Sequence, residues 1–136
     1  MEIIEILLSA GKALFGLRDK LATARQGRKQ VVAEFITTIG QTMEDVSAAL
    51  RQGIYPSGKC AEMKLHAENL VAAIGDLTGK AEATKLADQL KEVWQIEQIY
   101  GKLTLSSPEE REKNLRKLDE AAGLFRATAA FVRVSP

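Results

Sequence analysis

Apolar residues recur at helical spacing along this chain of 136 residues, and glycines break the pattern at Gly27, Gly53, Gly79 and Gly101. Glycine reaches the left-handed conformation that ends many helices, so these four read as C-terminal stops. No stretch sustains the period-two alternation of a half-buried strand, and the chain is expected to be all-α. The pattern places helices at about 2–24, 28–51, 60–77, 80–100 and 108–132. Helices of that length with short connections pack best as antiparallel neighbours. The expectation is an antiparallel bundle of four to five helices in one domain, 1–136. The lower count applies if the first two form one long kinked helix, since a lone glycine costs only about 1 kcal/mol inside a helix.

The second predicted helix carries Val32, Phe35, Ile36, Ile39, Met43, Val46 and Leu50 on one face. The third buries Met63, Leu70, Val71 and Ile74, and the fourth turns Leu86, Leu90, Val93 and Ile96 inward, with Trp94 beside them. The fifth runs through Leu115, Leu118, Ala122, Leu124, Phe125, Ala129 and Phe131. Its start is marked by Ser107-Pro108-Glu109-Glu110, a capping serine, a proline at the first helical position and a glutamate at the third. The tripeptide Arg-Gln-Gly at 25–27 and 51–53 reads as a recurrent helix ending, because the flanking segments do not match.

Composition bounds the function. Hydrophobic residues make up 46% and charged residues 27%, a globular balance. A net charge of +1 carries no polyanion-binding signature, so nucleic acid is not expected as a partner. Cys60 is the only cysteine, which excludes an intrachain disulfide and fits a reducing compartment. The chain opens without the basic start of a secretory signal, and Glu5, Ser9 and Lys12 interrupt its first apolar run. A membrane span needs about 20 mainly apolar residues, so a cytoplasmic location is expected, with recruitment to a membrane as the alternative.

Catalytic chemistry finds little footing. Cys60, Glu62 and His66 lie near one another in sequence, but zinc takes four ligands and no second cysteine or histidine exists, so no metal is expected. His66 reads instead as an exposed or half-buried helix residue. Six residues separate Cys60 from His66, about 9 Å along a helix axis, too far for a nucleophile and its base. Glu109, Glu110, Glu112, Asp119 and Glu120 alternate with Arg111, Lys113, Arg116 and Lys117, as on a solvated helix face. The Glu-x-x-His pairs of di-iron bundles are missing. Gly58-Lys59 lacks the first glycine of a phosphate loop and follows a helix. No catalytic residue and no cofactor is expected, and the chain does not read as an enzyme. Residues 54–59 form a proline-fixed corner with Tyr55 packed over a helix end. A surface contact through Tyr55 and Lys59 is the functional alternative.

The first helix carries the most functional information. Ile3, Ile4, Ile6, Leu7, Leu8, Ala10, Ala13, Leu14, Phe15 and Leu17 leave only a narrow polar stripe of Glu2, Glu5, Ser9, Lys12, Gly16 and Asp19. Such a helix is either wedged among others or able to leave them for a bilayer or a partner. Arg18, Lys20, Arg25, Arg28 and Lys29 follow it against a single Asp19. Apolar insertion plus cationic attraction to anionic lipid is one account of that pairing. A core helix with a charged end is the other.

This apolar helix, the basic turn and the long helices behind it resemble the amino-terminal bundles of cell-death and conflict proteins. These include fungal HeLo-type domains, the four-helix domain of the necroptosis executioner, and bacterial counterparts. Residues 50–63, running from Leu50 through Tyr55, Pro56 and Lys59 to Met63, also look like a family signature. The resemblance implies a non-enzymatic module that oligomerises, docks a partner or permeabilises a membrane. It implies Ile3, Ile4, Leu7, Leu8, Leu14 and Phe15 as the interaction or insertion face, a face that Glu5 and Lys12 interrupt. The first expectation is therefore a protein-interaction or oligomerisation module of a bacterial defence or cell-death system, with a protein partner or a second copy bound through helix 1 and the Tyr55–Lys59 corner. The alternative is a membrane-permeabilising effector that uses helix 1, with Arg18, Lys20, Arg25, Arg28 and Lys29 drawing it to anionic lipid.

Overall fold

Two of the four glycine stops end helices. Gly53 has φ +73° and Gly79 φ +98°, the only positive-φ residues among those described. Around Gly53 the Ile54 N–H donates to Ala49 O at 2.8 Å and the Gly53 N–H to Leu50 O at 3.1 Å. These are the two bonds of a Schellman ending, which satisfy carbonyls the helix leaves open. Gly27 and Gly101 instead lie inside helices.

A computed structural model describes residues 2–136, apart from the side chains at 94 and 97–99, so the expectation for Trp94 lies outside the described residues. The regular elements are α1 (Glu2–Gly16), α2 (Arg18–Leu21), α3 (Gln26–Arg51), α4 (Ser57–Thr78), α5 (Lys80–Lys91), a 3-10 turn (Glu92–Trp94), α6 (Gln95–Leu105) and α7 (Pro108–Val134). The protein is all-helical over the described residues, with seven α-helices where four or five were expected. The first predicted helix breaks at Leu17, which has φ −97° and ψ 6°, and the short α2 follows. The fourth is interrupted by the 3-10 turn and continues past residue 100 as α6. The corner is shorter than expected, because α4 begins at Ser57 directly behind the buried Pro56. At α7 the cap forms as read: Ser107 Oγ accepts the Glu110 N–H at 3.2 Å, and Pro108 occupies the first turn.

The largest contact is between α3 and α7, followed by α4 with α5, α1 with α7, and α3 with α4; α1 also touches α5. The five longer helices thus form a closed ring in the order α1, α7, α3, α4, α5. Side-chain pairs give their directions. Lys29 reaches Ser135 and Pro136, while Arg51 reaches Glu112 and Asp119, so α7 runs back along α3. Arg28–Asp76 and Lys59–Asp45 show α4 running back along α3 as well. In contrast, Glu5 pairs with Lys117 and Arg18 lies by Phe131, so α1 and α7 run in the same direction. Antiparallel neighbours are therefore not the rule throughout. A ring of five helices that reverse at each connection must close on one like-directed pair, and here it is the first and last.

Close approach rests on small residues. A Cβ at Gly11 would stand 3.2 Å from Ala121 O, and one at Gly40 would stand 3.1 Å from Ala122 O. Between the helices lies one core, which includes Ile4, Leu7, Leu14, Ile36, Ile39, Met43, Met63, Leu70, Ile74, Leu118 and Phe125. Each such fully buried side chain contributes roughly 1.5–3 kcal/mol relative to exposure. Phe131, expected inward, is 36% exposed.

Candidate functional site

The face singled out on α1 lies in this core. Ile3, Ile4, Leu7, Leu8 and Leu14 are buried, and Phe15 is half-buried. The stripe of Glu2, Glu5, Ser9, Lys12, Gly16 and Asp19 faces solvent. Glu5 does not interrupt the buried face but flanks it, pairing with Lys117 across the α1–α7 seam. That hydrogen bond holds the Glu5 carboxyl below its ordinary range. In this state α1 is wedged, and its apolar residues are not presented to a partner.

The five cations behind α1 meet different fates. The Arg18 guanidinium lies 4.2 Å over the Phe15 ring and 5.6 Å from that of Phe131, and Nη1 donates to Phe15 O at 2.9 Å. Arg28 donates to both carboxylate oxygens of Asp76 and, at 3.0 Å, to Ala73 O. The pair lowers the Asp76 pKa and raises that of Arg28. Lys29 is 3% exposed and donates to Ser135 O at 3.1 Å and Pro136 O at 2.7 Å. Lys20 and Arg25 are exposed. The run is thus one stacked cation, one ion-paired, one buried and two free to face solvent. Lys29 could have been separated from its neighbours in the sequence, because it precedes Val32, Ile36, Ile39 and Met43 on the same apolar stripe.

The Tyr55–Lys59 corner is built into the fold. Tyr55 meets Tyr100 of α6 edge to face, with centroids 5.4 Å apart and planes at 89°. Tyr100 Oη donates to Gly53 O, tying α6 to the end of α3. Lys59 Nζ lies 3.3 Å from Glu62 and 3.5 Å from Asp45, and these carboxylates, Glu62 first, raise its pKa. Tyr55 still exposes about half its surface, and Ile54 beside it is likewise exposed.

Of the large apolar side chains that are exposed, Val31 and Leu65 stand along α3 and α4, and the others lie toward the two ends of the ring. At the end where α1 and α7 finish, Val134 is 79% exposed beside the partly exposed Phe131. At the opposite end, where α3 finishes and α7 begins, Leu105 is 89% exposed, and Ile54 and Tyr55 are exposed as well. Sequence reasoning missed Leu105, Phe131 and Val134, since each falls where a helix stripe meets a terminus and its facing neighbour is set by tertiary packing.

Groups with chemical potential are dispersed. Cys60 is buried. His66 is half-buried and edge-on to Phe35 at 6.2 Å; burial lowers its pKa against the opposing pull of Glu62. Among the described residues no three His, Cys, Asp or Glu side chains are grouped to hold a metal ion. The charged groups instead bridge helices: Arg51 to Glu112 and Asp119, and Arg126 to Gln41 and Glu44. Among the described residues no helix is long and apolar enough to cross a membrane. No protein-family model, curated protein or solved structure matches the chain.

Proposed function

We propose that this chain is a non-enzymatic interaction module that self-associates, a bundle of five longer helices antiparallel except for α1 and α7. Its contacts are made by the exposed ends rather than by the apolar face of α1. The observation that supports this reading is the grouping of exposed apolar residues at each end, Phe131 with Val134 about one turn on in α7 and Ile54 with the adjacent Tyr55. Scattered surface apolar residues are ordinary, but grouped ones mark contact sites. Its place in a defence or cell-death system rests on the resemblance of its apolar first helix and basic turn.

Sedimentation velocity without lipid tests this reading. Species larger than the monomer that grow with protein concentration are expected. A chain that stays monomeric at every concentration, yet releases dye from anionic liposomes, overturns the reading. The membrane-permeabilising effector would then take its place, with Ile3, Ile4, Leu7, Leu8, Leu14 and Phe15 released from the core and Arg18, Lys20, Arg25, Arg28 and Lys29 attracting lipid.

A further inference from the structure

Lys29 occupies a place that disfavours a cation twice over. It lies in the first turn of α3, the positive end of a 26-residue helix that has no acidic residue there. It also continues the buried stripe of Val32, Ile36, Ile39 and Met43, and is itself 3% exposed. Burying an ammonium is costly unless hydrogen bonds or opposite charge compensate it. The compensation comes from the chain leaving α7, where Nζ donates to Ser135 O at 3.1 Å and Pro136 O at 2.7 Å. These carbonyls stand at the negative end of a 27-residue helix, which favours a cation. Just before them α7 is firmly seated: Val132 is fully buried, and the Arg18 guanidinium lies 5.6 Å from the Phe131 ring. From there the chain is more open. Val134 is exposed, and the backbone turns extended at Ser135, with φ −66° and ψ 138°. Ser135 closes the last turn through its N–H and hydroxyl on Phe131 O, and Lys29 fastens the carbonyls that follow.

We propose that residues 134–136 are a strap closed by Lys29. The ammonium holds the strap to the start of α3 and so fixes Val134, about one turn on from Phe131. The strap closes whether or not copies associate; that it shapes a contact end rests on the self-association reading. A Val134 already held in place enters a contact without first losing backbone freedom, whereas an open strap loses that freedom on binding. Lys29 thus sets how well the end bearing Phe131 and Val134 is prepared for contact.

Lys29→Met tests the strap, because methionine fills the place of the buried stem and removes the ammonium. Backbone amide relaxation of the unchanged chain is expected to show Val134 and Ser135 as rigid as the interior of α7, although chain ends are ordinarily mobile. In Lys29→Met the same two residues are expected to become mobile while circular dichroism shows the bundle intact. Arg25→Gln, which removes an exposed cation four residues earlier, is expected to leave them rigid. A strap that is mobile in the unchanged chain, or equally rigid in Lys29→Met, overturns the proposal. Should Lys29→Met fail to fold, proton–proton contacts in the unchanged chain decide: the Lys29 Hε protons touch Ser135 or Pro136 if the strap is closed, and their absence overturns it. Sedimentation velocity then reads the contact, and Lys29→Met is expected to weaken association several-fold. Undiminished association with an open strap removes the strap from the contact end. An unchanged chain that stays monomeric fails the self-association reading, and with it the role in contact, while the strap itself is decided by relaxation.

Discussion

At Gly40 the backbone of α3 comes so near α7 that a Cβ would stand 3.1 Å from Ala122 O, 3.2 Å from Arg126 Cγ and 3.3 Å from Phe125 Cβ. The arginine stem can rotate aside, but the carbonyl is fixed in a helix. Overpacking of about 1–3 kcal/mol, offset by roughly 0.5–1 kcal/mol of recovered helix propensity, makes Gly40→Ala a net loss of up to about 2 kcal/mol. Gly123, in the interior of α7, has nothing within 4 Å of the same atom. There the change removes only backbone freedom, so Gly123→Ala is expected to raise stability by roughly 0.5–1 kcal/mol. Urea unfolding of both variants checks the pair, and equal effects would show that the close approach is not limiting. These roles were not legible in the sequence. A glycine that ends a helix and one that admits a neighbouring helix look alike until the neighbour is known. Lys29 is the opposite case: its place on the Val32, Ile36, Ile39 and Met43 stripe is legible, but a run of like charges draws attention before helical phase does.

Elements were legible where the signal is local. The Ser107 cap and the Gly53 ending involve bonds within a few residues, and both form. Breaks set by tertiary contact were not. Helix 1 was read through to residue 24 and the fourth helix to 100, yet the first yields at Leu17 and the second re-forms as α6. The connector α6 packs chiefly on the 3-10 turn and α4, with Ile96 and Leu103 buried. Its link to the α3 end is the Tyr100 hydroxyl on Gly53 O. Tyr100→Phe keeps the ring against Tyr55 and removes that one bond, for an expected loss of about 0.5–1.5 kcal/mol. Local opening of α6 is expected to leave its amides less protected than the slowest of α3 and α7, and Tyr100→Phe to lower α6 protection further by that amount. Hydrogen exchange resolved by residue reads this directly, and α6 amides as protected as the slowest of α3 and α7 would show that α6 does not open on its own.

For the molecule as a whole, the helical period announced an all-α protein but not which helices are neighbours. Neighbour order depends on contacts far apart in sequence, and the like-directed α1–α7 pair follows only once the ring is known to close. That closure bears on the function of α1. Leu7 is fully buried, and its helix is held by α7 on one side and α5 on the other. Leu7→Ala is expected to cost about 2–5 kcal/mol. If α1 is integral to the core, it opens only with the whole molecule: its slowest amides match those of α3, α4 and α7 in the unchanged chain, and Leu7→Ala lowers all of them together. If α1 is poised to leave, its amides exchange through a lower-lying opening and are less protected than those of α3, α4 and α7 in both proteins. Native-state hydrogen exchange of the unchanged chain and of Leu7→Ala separates the two cases. Equal protection means that the apolar face is reached only by unfolding, which leaves contact to the exposed ends. Protection of α1 well below that of the other helices makes release inexpensive and returns Ile3, Ile4, Leu7, Leu8 and Leu14 to the role of an insertion face.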